Sequence, residues 1–159
     1  MDLVQQTVVL VKPDGLQRGL VGEIMHRFER KGLKLVGIKM IRFTDEIMDE
    51  WYSHLKDKDF FPRIKKYISW TPIVAMVWEG LEAVASVRKI VGITKAREAE
   101  AGSIRGDFGM SQQNNLMHAS ESVESAEKEL KLIFLPGEIF NFESGMECLI
   151  YSDEERGNR

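Results

Sequence analysis

Two short runs of almost uninterrupted apolar residues constrain this chain more than anything else in it. They are Thr7-Val8-Val9-Leu10-Val11 and the stretch from Ile73 to Trp78. Successive side chains of a strand point to opposite faces, so a run without polar alternation reads as a strand buried on both sides. The first run stops at Lys12-Pro13-Asp14-Gly15, where Pro second and Gly fourth suit a type I turn. Val21, Ile24, Met25 and Phe28 then recur at helical spacing, and Gly32 stands where that helix would end. Leu33 to Phe43 alternates in part and reads as a second strand. Asp45 is the expected N-cap of a helix carrying Ile47, Met48, Trp51, Tyr52 and Leu55 on one face, and Pro62 starts a short helix through Tyr67.

After the strand at Ile73 to Trp78, Val84, Val87 and Val91 mark a helix ending near Gly92. From about Thr94 to Asn114 the apolar periodicity fails, and glycines punctuate the segment. A structureless loop of that length in a compact domain is either a misread element or a functional one. Leu116-Met117-His118-Ala119 reads as a last strand, and Ser122 caps a helix with Val123, Ala126, Leu130 and Ile133 inward. Phe134, Pro136, Phe140, Phe142 and Ile150 follow, with a charged, frayed tail from Asp153. No linker or repeat interrupts residues 1–159, so one domain is expected. The order of elements predicts an α+β fold of the ferredoxin-like, split βαβ kind, a four-stranded antiparallel sheet with helices packed on it.

Composition narrows the function classes. The formal net charge of −3 gives no bulk attraction to nucleic acid or to an anionic membrane. No apolar run approaches the roughly 20 residues of a membrane helix. The single Cys148 fits a reducing compartment, with cytoplasm as the expectation. None of the common Gly-rich phosphate loops, zinc-protease helices or nucleophile elbows is present.

Chemistry must therefore come from dispersed residues. Of the three histidines, His26 and His54 read as surface positions, and His118 lies at a strand end among small and polar neighbours. Taken alone, His118 reads as a hydrogen-bonded strand-end histidine. Lys12 ends a buried strand, Arg88 lies on a helix and Arg105 lies in the irregular segment beside Gly106. Each by itself is a solvated charge, but three cations converging on one histidine would suit a triphosphate. Trp51 and Tyr52 read as core, while of the adjacent Phe60 and Phe61 one is expected to be exposed and able to stack on a base.

Several blocks at consistent separations carry a resemblance. Asn115-Leu116-Met117-His118-Ala119-Ser120-Glu121-Ser122 resembles the active-site signature of nucleoside diphosphate kinases. Lys12 to Glu23, Arg105-Gly106-Asp107-Phe108 and Ser122 to Glu129 are also similar to that family, and the likeness runs from about Thr7 to Tyr151. The resemblance implies transfer of a γ-phosphoryl group from a nucleoside triphosphate, usually ATP, to a nucleoside diphosphate, with Mg²⁺ held mainly by the nucleotide phosphates. It implies a phosphohistidine at His118, with Glu129 holding the imidazole, Ser120 close by, and Tyr52 near His118 and Lys12. It implies that Lys12, Arg88, Thr94, Arg105 and Asn115 hold phosphates and sugar, and that Phe60 stacks on the base. It also implies a homo-oligomer, with a hexamer ahead of a tetramer. The segment Thr94 to Gly102 lacks the prolines usual in that family's loop, and Glu121 stands where Asp is usual. The alternatives are a non-catalytic nucleotide-binding paralogue and an RNA-binding sheet, and the pI of about 5.7 speaks against the second.

Overall fold

The computed structural model describes residues 4–156. Strand β1 (Val4–Val11) is followed by helices α1 (Pro13–Gln17) and α2 (Val21–Lys31), strand β2 (Lys34–Ile41), and helices α3 (Asp45–Trp51) and α4 (Phe61–Ile68). Strand β3 (Ile73–Leu81) leads to α5 (Ala83–Val91) and α6 (Ile104–Phe108). Strand β4 (Met117–Ala119), α7 (Val123–Ile133), α8 (Glu147–Ile150) and α9 (Asp153–Arg156) complete the chain. The strands lie in the order β2-β3-β1-β4, and every neighbouring pair is antiparallel. This is the expected ferredoxin-like α+β architecture.

The two apolar runs pair with each other at the centre of the sheet, with Thr7 opposite Trp78 and Val11 opposite Val74. Their alternation divides the core in two. Val9, Val11, Met76 and Trp78 face Ile24 and Phe28 of α2 and Val87 of α5. Val8, Leu10, Ala75 and Val77 face Met48 of α3, Ile68 of α4 and Ile133 of α7. Helices thus cover both faces, which is why neither strand tolerates polar alternation. Gly32 ends α2 in the left-handed region, with φ 97°, where a Cβ would be strained.

The structure corrects several local expectations. Lys12-Pro13-Asp14-Gly15 opens the short helix α1 rather than a simple turn, because Pro13 at its first position has φ preset and no N–H to satisfy. The cap of α3 is Thr44, whose Oγ1 accepts from Ile47 N at 3.3 Å, and Asp45 is already helical. That helix stops at Trp51, leaving Leu55 in a 3₁₀ turn, and α4 extends from Phe61 to Ile68. Val123 fits the inner stripe of α7 by spacing, yet as the first helical residue it is exposed. The tail from Asp153 begins with a helical turn, and its residues 157–159 lie outside the described part.

The segment from Thr94 to Asn114 is ordered by local turns and distant arginines. It holds a 3₁₀ turn (Ala96–Glu98) and α6, which is capped by Ser103 Oγ accepting from Gly106 N at 3.0 Å. Arg27 of α2 donates to the Gly102 carbonyl at 3.0 Å, pairs with Asp107 at 2.7 Å and lies over the Phe108 ring. Arg18 donates to the Phe108 carbonyl at 2.6 Å. These fastenings hold a loop that lacks stiffening prolines.

At the other side of the sheet edge, Gly15 sits against the segment that leads into β4. A Cβ there would lie 2.7 Å from the Leu116 carbonyl oxygen and 2.8 Å from Val11 Cγ1. Gly15→Ala is therefore expected to lower stability by about 1–3 kcal/mol, as overpacking against backbone does. Urea unfolding would show a lower midpoint at unchanged slope, and a wild-type midpoint would mean that the turn can move away from Leu116.

Candidate active site

His118 is the middle residue of the short edge strand β4, opposite Leu10 of β1. Met117 and Ala119 enter the α2 and α5 side of the core, so alternation turns His118 to the other face. There Glu129 of α7 meets it. Glu129 shares the inner stripe of α7 with Ala126 and Ile133, and its side chain is only 15% exposed. Its Oε1 lies 2.9 Å from His118 Nε2, and its Oε2 accepts from the Ser120 hydroxyl at 2.6 Å. Ser120 Oγ is itself fixed by accepting from Val8 N at 3.0 Å. The chain from β1 through Ser120 and Glu129 thus orients the imidazole and occupies Nε2, leaving Nδ1 as the other ring nitrogen. Trp51 packs edge-on to the ring at 5.0 Å between centroids. The sequence placed Trp51 in the core, and its contact with His118 has no local signal.

A cationic wall faces this histidine. Lys12 is the last extended residue before α1, and its Nζ donates to Asn115 Oδ1 at 2.7 Å. Burial, with Arg105 second, pulls the Lys12 ammonium down to about 8, against the opposing influence of Asp14. Arg105 is almost wholly buried. Its Nε, Nη1 and Nη2 donate to the carbonyls of Asn115, Gly92 and Met117 at 3.2, 3.0 and 2.7 Å. Burial and then Arg88 pull Arg105 down to about 10. A guanidinium has five N–H donors, so one hydrogen on each of Nη1 and Nη2 is left for the cleft. Arg88 of α5 reaches the Ala119 carbonyl at 3.4 Å. Asn115 is buried too, and its Nδ2 donates to the Thr94 and Gln112 carbonyls at 3.0 and 2.8 Å.

Three residues that the sequence reading passed over hold this wall in place. Leu116 is buried with φ 75°, the left-handed region that costs a non-glycine residue roughly 1–2 kcal/mol. Its N–H donates to Asp14 Oδ2 at 3.0 Å, and its carbonyl accepts from Lys12 N at 2.9 Å. The other oxygen of Asp14 accepts from the Tyr67 hydroxyl of α4. Burial, and then Asp14 itself, push the Tyr67 phenol up. A charged residue two places after Lys12 and a tyrosine on a helix are visible in the sequence, but their pairing is long-range and has no spacing rule.

Lys12, Tyr52, Phe60, Arg88, Thr94, Arg105, Asn115, His118 and Glu129, all singled out from the sequence, line one cleft of about 1270 Å³, while Ser120 is buried and does not. That volume exceeds the roughly 300–1,000 Å³ of common small-molecule sites. Phe61 is buried and Phe60 is 39% exposed, so Phe60 is the accessible ring of that pair. Tyr52 follows α3, and burial, with Glu129 second, pushes its phenol up to about 12. His54 also borders the cleft as an exposed side chain, and His26 is exposed.

Half-buried Lys12 and buried Arg105 lie under the influence of one carboxylate, Asp14, and desolvation of both outweighs it. Folding lowers the proton affinity of Lys12, so the unfolded chain binds more protons between pH 8 and 10.5, and stability from this group rises with pH across that window. Lys12→Met is expected to be more stable than wild type at pH 7, by about 1–3 kcal/mol. The advantage should vanish above pH 10.5, where the lysine is neutral in both states. Urea unfolding at the two pH values checks this, and a less stable variant at pH 7 would contradict it.

Comparison with known proteins shows the family of the chain. The family model for nucleoside diphosphate kinase matches residues 5–139. A nucleoside diphosphate kinase of Parabacteroides distasonis is 49% identical over 152 residues, covering 96% of this chain and 99% of that protein. Nucleoside diphosphate kinase A of Rattus norvegicus is 47% identical over 147 residues, covering 92% of this chain and 97% of its own. The solved structure of a halophilic nucleoside diphosphate kinase from Halobacterium salinarum, in complex with CDP, is similar with a TM-score of 0.90 at 41% identity. It covers 93% of this chain and 99% of that one. With a family match over most of its length and relatives near half identity from end to end, this chain belongs to the nucleoside diphosphate kinase family.

Proposed function

We propose that this nucleoside diphosphate kinase moves the γ-phosphoryl group of a nucleoside triphosphate, usually ATP, to a nucleoside diphosphate in two displacements through His118. The observation that carries the reading is the 2.9 Å contact of His118 Nε2 with Glu129 in the cleft that Lys12, Arg88 and Arg105 line. With Nε2–H donated to the carboxylate, a neutral imidazole keeps its lone pair on Nδ1. Nδ1 attacks the γ-phosphorus. An N–P bond forms while the P–O bond to the departing diphosphate breaks, and the electron pair leaves on that oxygen. The ring, now substituted at Nδ1 and protonated at Nε2, carries positive charge, which Glu129 opposes. Ser120 keeps that carboxylate aimed by donating to its second oxygen at 2.6 Å. A second nucleoside diphosphate then attacks the phosphorus, and Nδ1 leaves with its electron pair.

Lys12, Arg88 and Arg105 act on the phosphate oxygens, where preorganised cations do most of the work of phosphoryl transfer. Thr94 and Asn115 hold phosphate and sugar, and Tyr52 bounds the pocket beside His118 and Lys12. Mg²⁺, carried on the nucleotide's own phosphates, supplies further charge neutralisation. Among the described residues no group of three or more His, Cys, Asp or Glu gathers to hold an ion. The Halobacterium relative was solved with CDP, and we carry nucleotide binding over to this cleft. Stacking on the exposed Phe60 ring accepts any base, which gives broad base tolerance.

The proposal extends to assembly and place. Ile93 and Met110, near the two ends of the long loop, are both exposed apolar residues, 53% and 72% accessible, which supports a homo-oligomer in which that loop meets neighbouring copies. A hexamer is expected ahead of a tetramer. Light scattering at micromolar concentration tests this, and a stable species near 18.2 kDa would refute it. The free, exposed Cys148 suits a reducing cytoplasm, and among the described residues no helix is long and apolar enough to cross a membrane.

Incubation with ATP labelled at the γ-phosphate is expected to give an acid-labile, alkali-stable label on His118, and ³¹P NMR of the protein should assign it to Nδ1. His118→Ala should carry no label and show no turnover. An acid-stable label, a label on Nε2, or turnover by the variant would overturn the mechanism.

A further inference from the structure

Buried Asp14 and half-buried Tyr67 form a hydrogen-bonded pair that the phosphoryl-transfer steps do not use. Asp14 is 9% exposed, and both its oxygens are engaged, one by the Tyr67 hydroxyl and one by Leu116 N at 3.0 Å. The bonded groups come from three separate parts of the chain. Asp14 lies in the first turn of α1, Tyr67 on α4, and Leu116 between Asn115 and the strand that carries His118. Leu116 is one of two described non-glycine residues with positive φ, the other being Glu82 at the exit of β3. A leucine held there needs its surroundings to over-determine the backbone. The Asp14 carboxylate and the Lys12 N–H supply that hold, gripping the N–H and the carbonyl of the same residue.

We propose, on the basis of the two-step transfer through His118, that Asp14 is a positioning residue with Tyr67 as its donor. Its carboxylate locks Leu116 in the left-handed conformation, which presents Asn115 to Lys12 on one side and His118 to the substrate on the other. The same carboxylate is the counter-charge that acts on Lys12 and Arg105. The groups around Lys12 are consistent with this division of labour. Arg105 opposes its charge, Asp14 favours it, Asn115 is neutral, and Arg88, His118 and Glu129 line the rest of the cleft. Tyr67 limits the motion of the carboxylate and ties it to α4, the helix that starts beside Phe60.

Three variants of the full-length protein separate these effects. Asp14→Asn keeps an oxygen for Leu116 N–H and removes the charge. Tyr67→Phe keeps the charge and removes one hydrogen bond. Asp14→Ala removes both bonds. Small displacements of reacting groups cost up to about 10²-fold in rate, so kcat should fall on the order of 10- to 100-fold in Asp14→Ala and less in Tyr67→Phe. The alkaline limb of kcat/KM, which reports free-enzyme groups, should move to lower pH in Asp14→Asn and stay in place in Tyr67→Phe. A purely structural carboxylate would not move that limb.

A wild-type kcat together with an unmoved limb in Asp14→Asn would overturn the proposal, as would losses in all variants that only track the folded fraction seen by circular dichroism. If the Asp14 variants do not fold, Tyr67→Phe decides, and a kcat within about twofold of wild type overturns the positioning role. Labelling of wild-type His118 is scored alongside. Its absence sinks the two-step transfer, whereas its presence with unaffected variants sinks only the role of Asp14 and Tyr67.

Discussion

The buried guanidinium of Arg105 determines where the active segment lies. Its three engaged nitrogens reach the carbonyls of Gly92, Asn115 and Met117, so one side chain ties the exit of α5, the end of the long loop and the start of β4 together. Burying a charge is costly unless it is hydrogen-bonded, and those carbonyls meet the need only as neutral acceptors. The positive charge remains, as does that of Lys12 beside it. Asp14 is the carboxylate acting on both, and burial still holds both cations below their ordinary values. The cleft therefore keeps a cationic lining that the polyphosphate of the proposed substrates would complement.

The same economy recurs on the histidine side. Glu129 serves His118 with one oxygen and is served by Ser120 on the other, while Ser120 hangs from the backbone of β1. Glu129, and with it the ring of His118, is thus anchored to β1, one of the two central strands of the sheet. The proposed nucleophile, His118, sits on the short edge strand β4, where three residues pair with β1. The proposed transfer needs both a rigid centre and an accessible edge, because in it the imidazole is aimed and also meets two nucleotides in turn. Proximity of this kind is effective only when the supporting residues do not give way.

Much of the fold is legible in the sequence because the strands and helices obey periods of 2 and 3.6 with little interference. Ile24 and Phe28 fall where the spacing puts them, and Ser122 caps α7 through its own hydroxyl, accepting from Ser125 N at 3.1 Å. Boundaries are less legible. Thr44 displaces Asp45 as a cap because either could accept from the first turn, and only the backbone decides. The site is partly legible for a different reason. His118, Lys12 and Arg105 stand in recognisable blocks, and the blocks converge in one cleft. Asp14, Tyr67 and the conformation of Leu116 are not legible, since they depend on contacts between residues 53 and 102 positions apart. The loop from Thr94 to Asn114 is similar, being fixed by Arg27 and Arg18 from far upstream.

The account stands on His118 as a covalent carrier that serves one nucleotide and then another from a single cleft. The most direct measurement uses protein first phosphorylated with ATP and Mg²⁺, then freed of all nucleotide by gel filtration, and finally mixed with ADP alone. The account predicts rapid formation of ATP, up to one molecule for each phosphorylated chain, with the protein returning to its unmodified mass. If the isolated protein carries no phosphate, or carries it but gives no ATP, transfer must occur directly between two bound nucleotides and the central claim is contradicted.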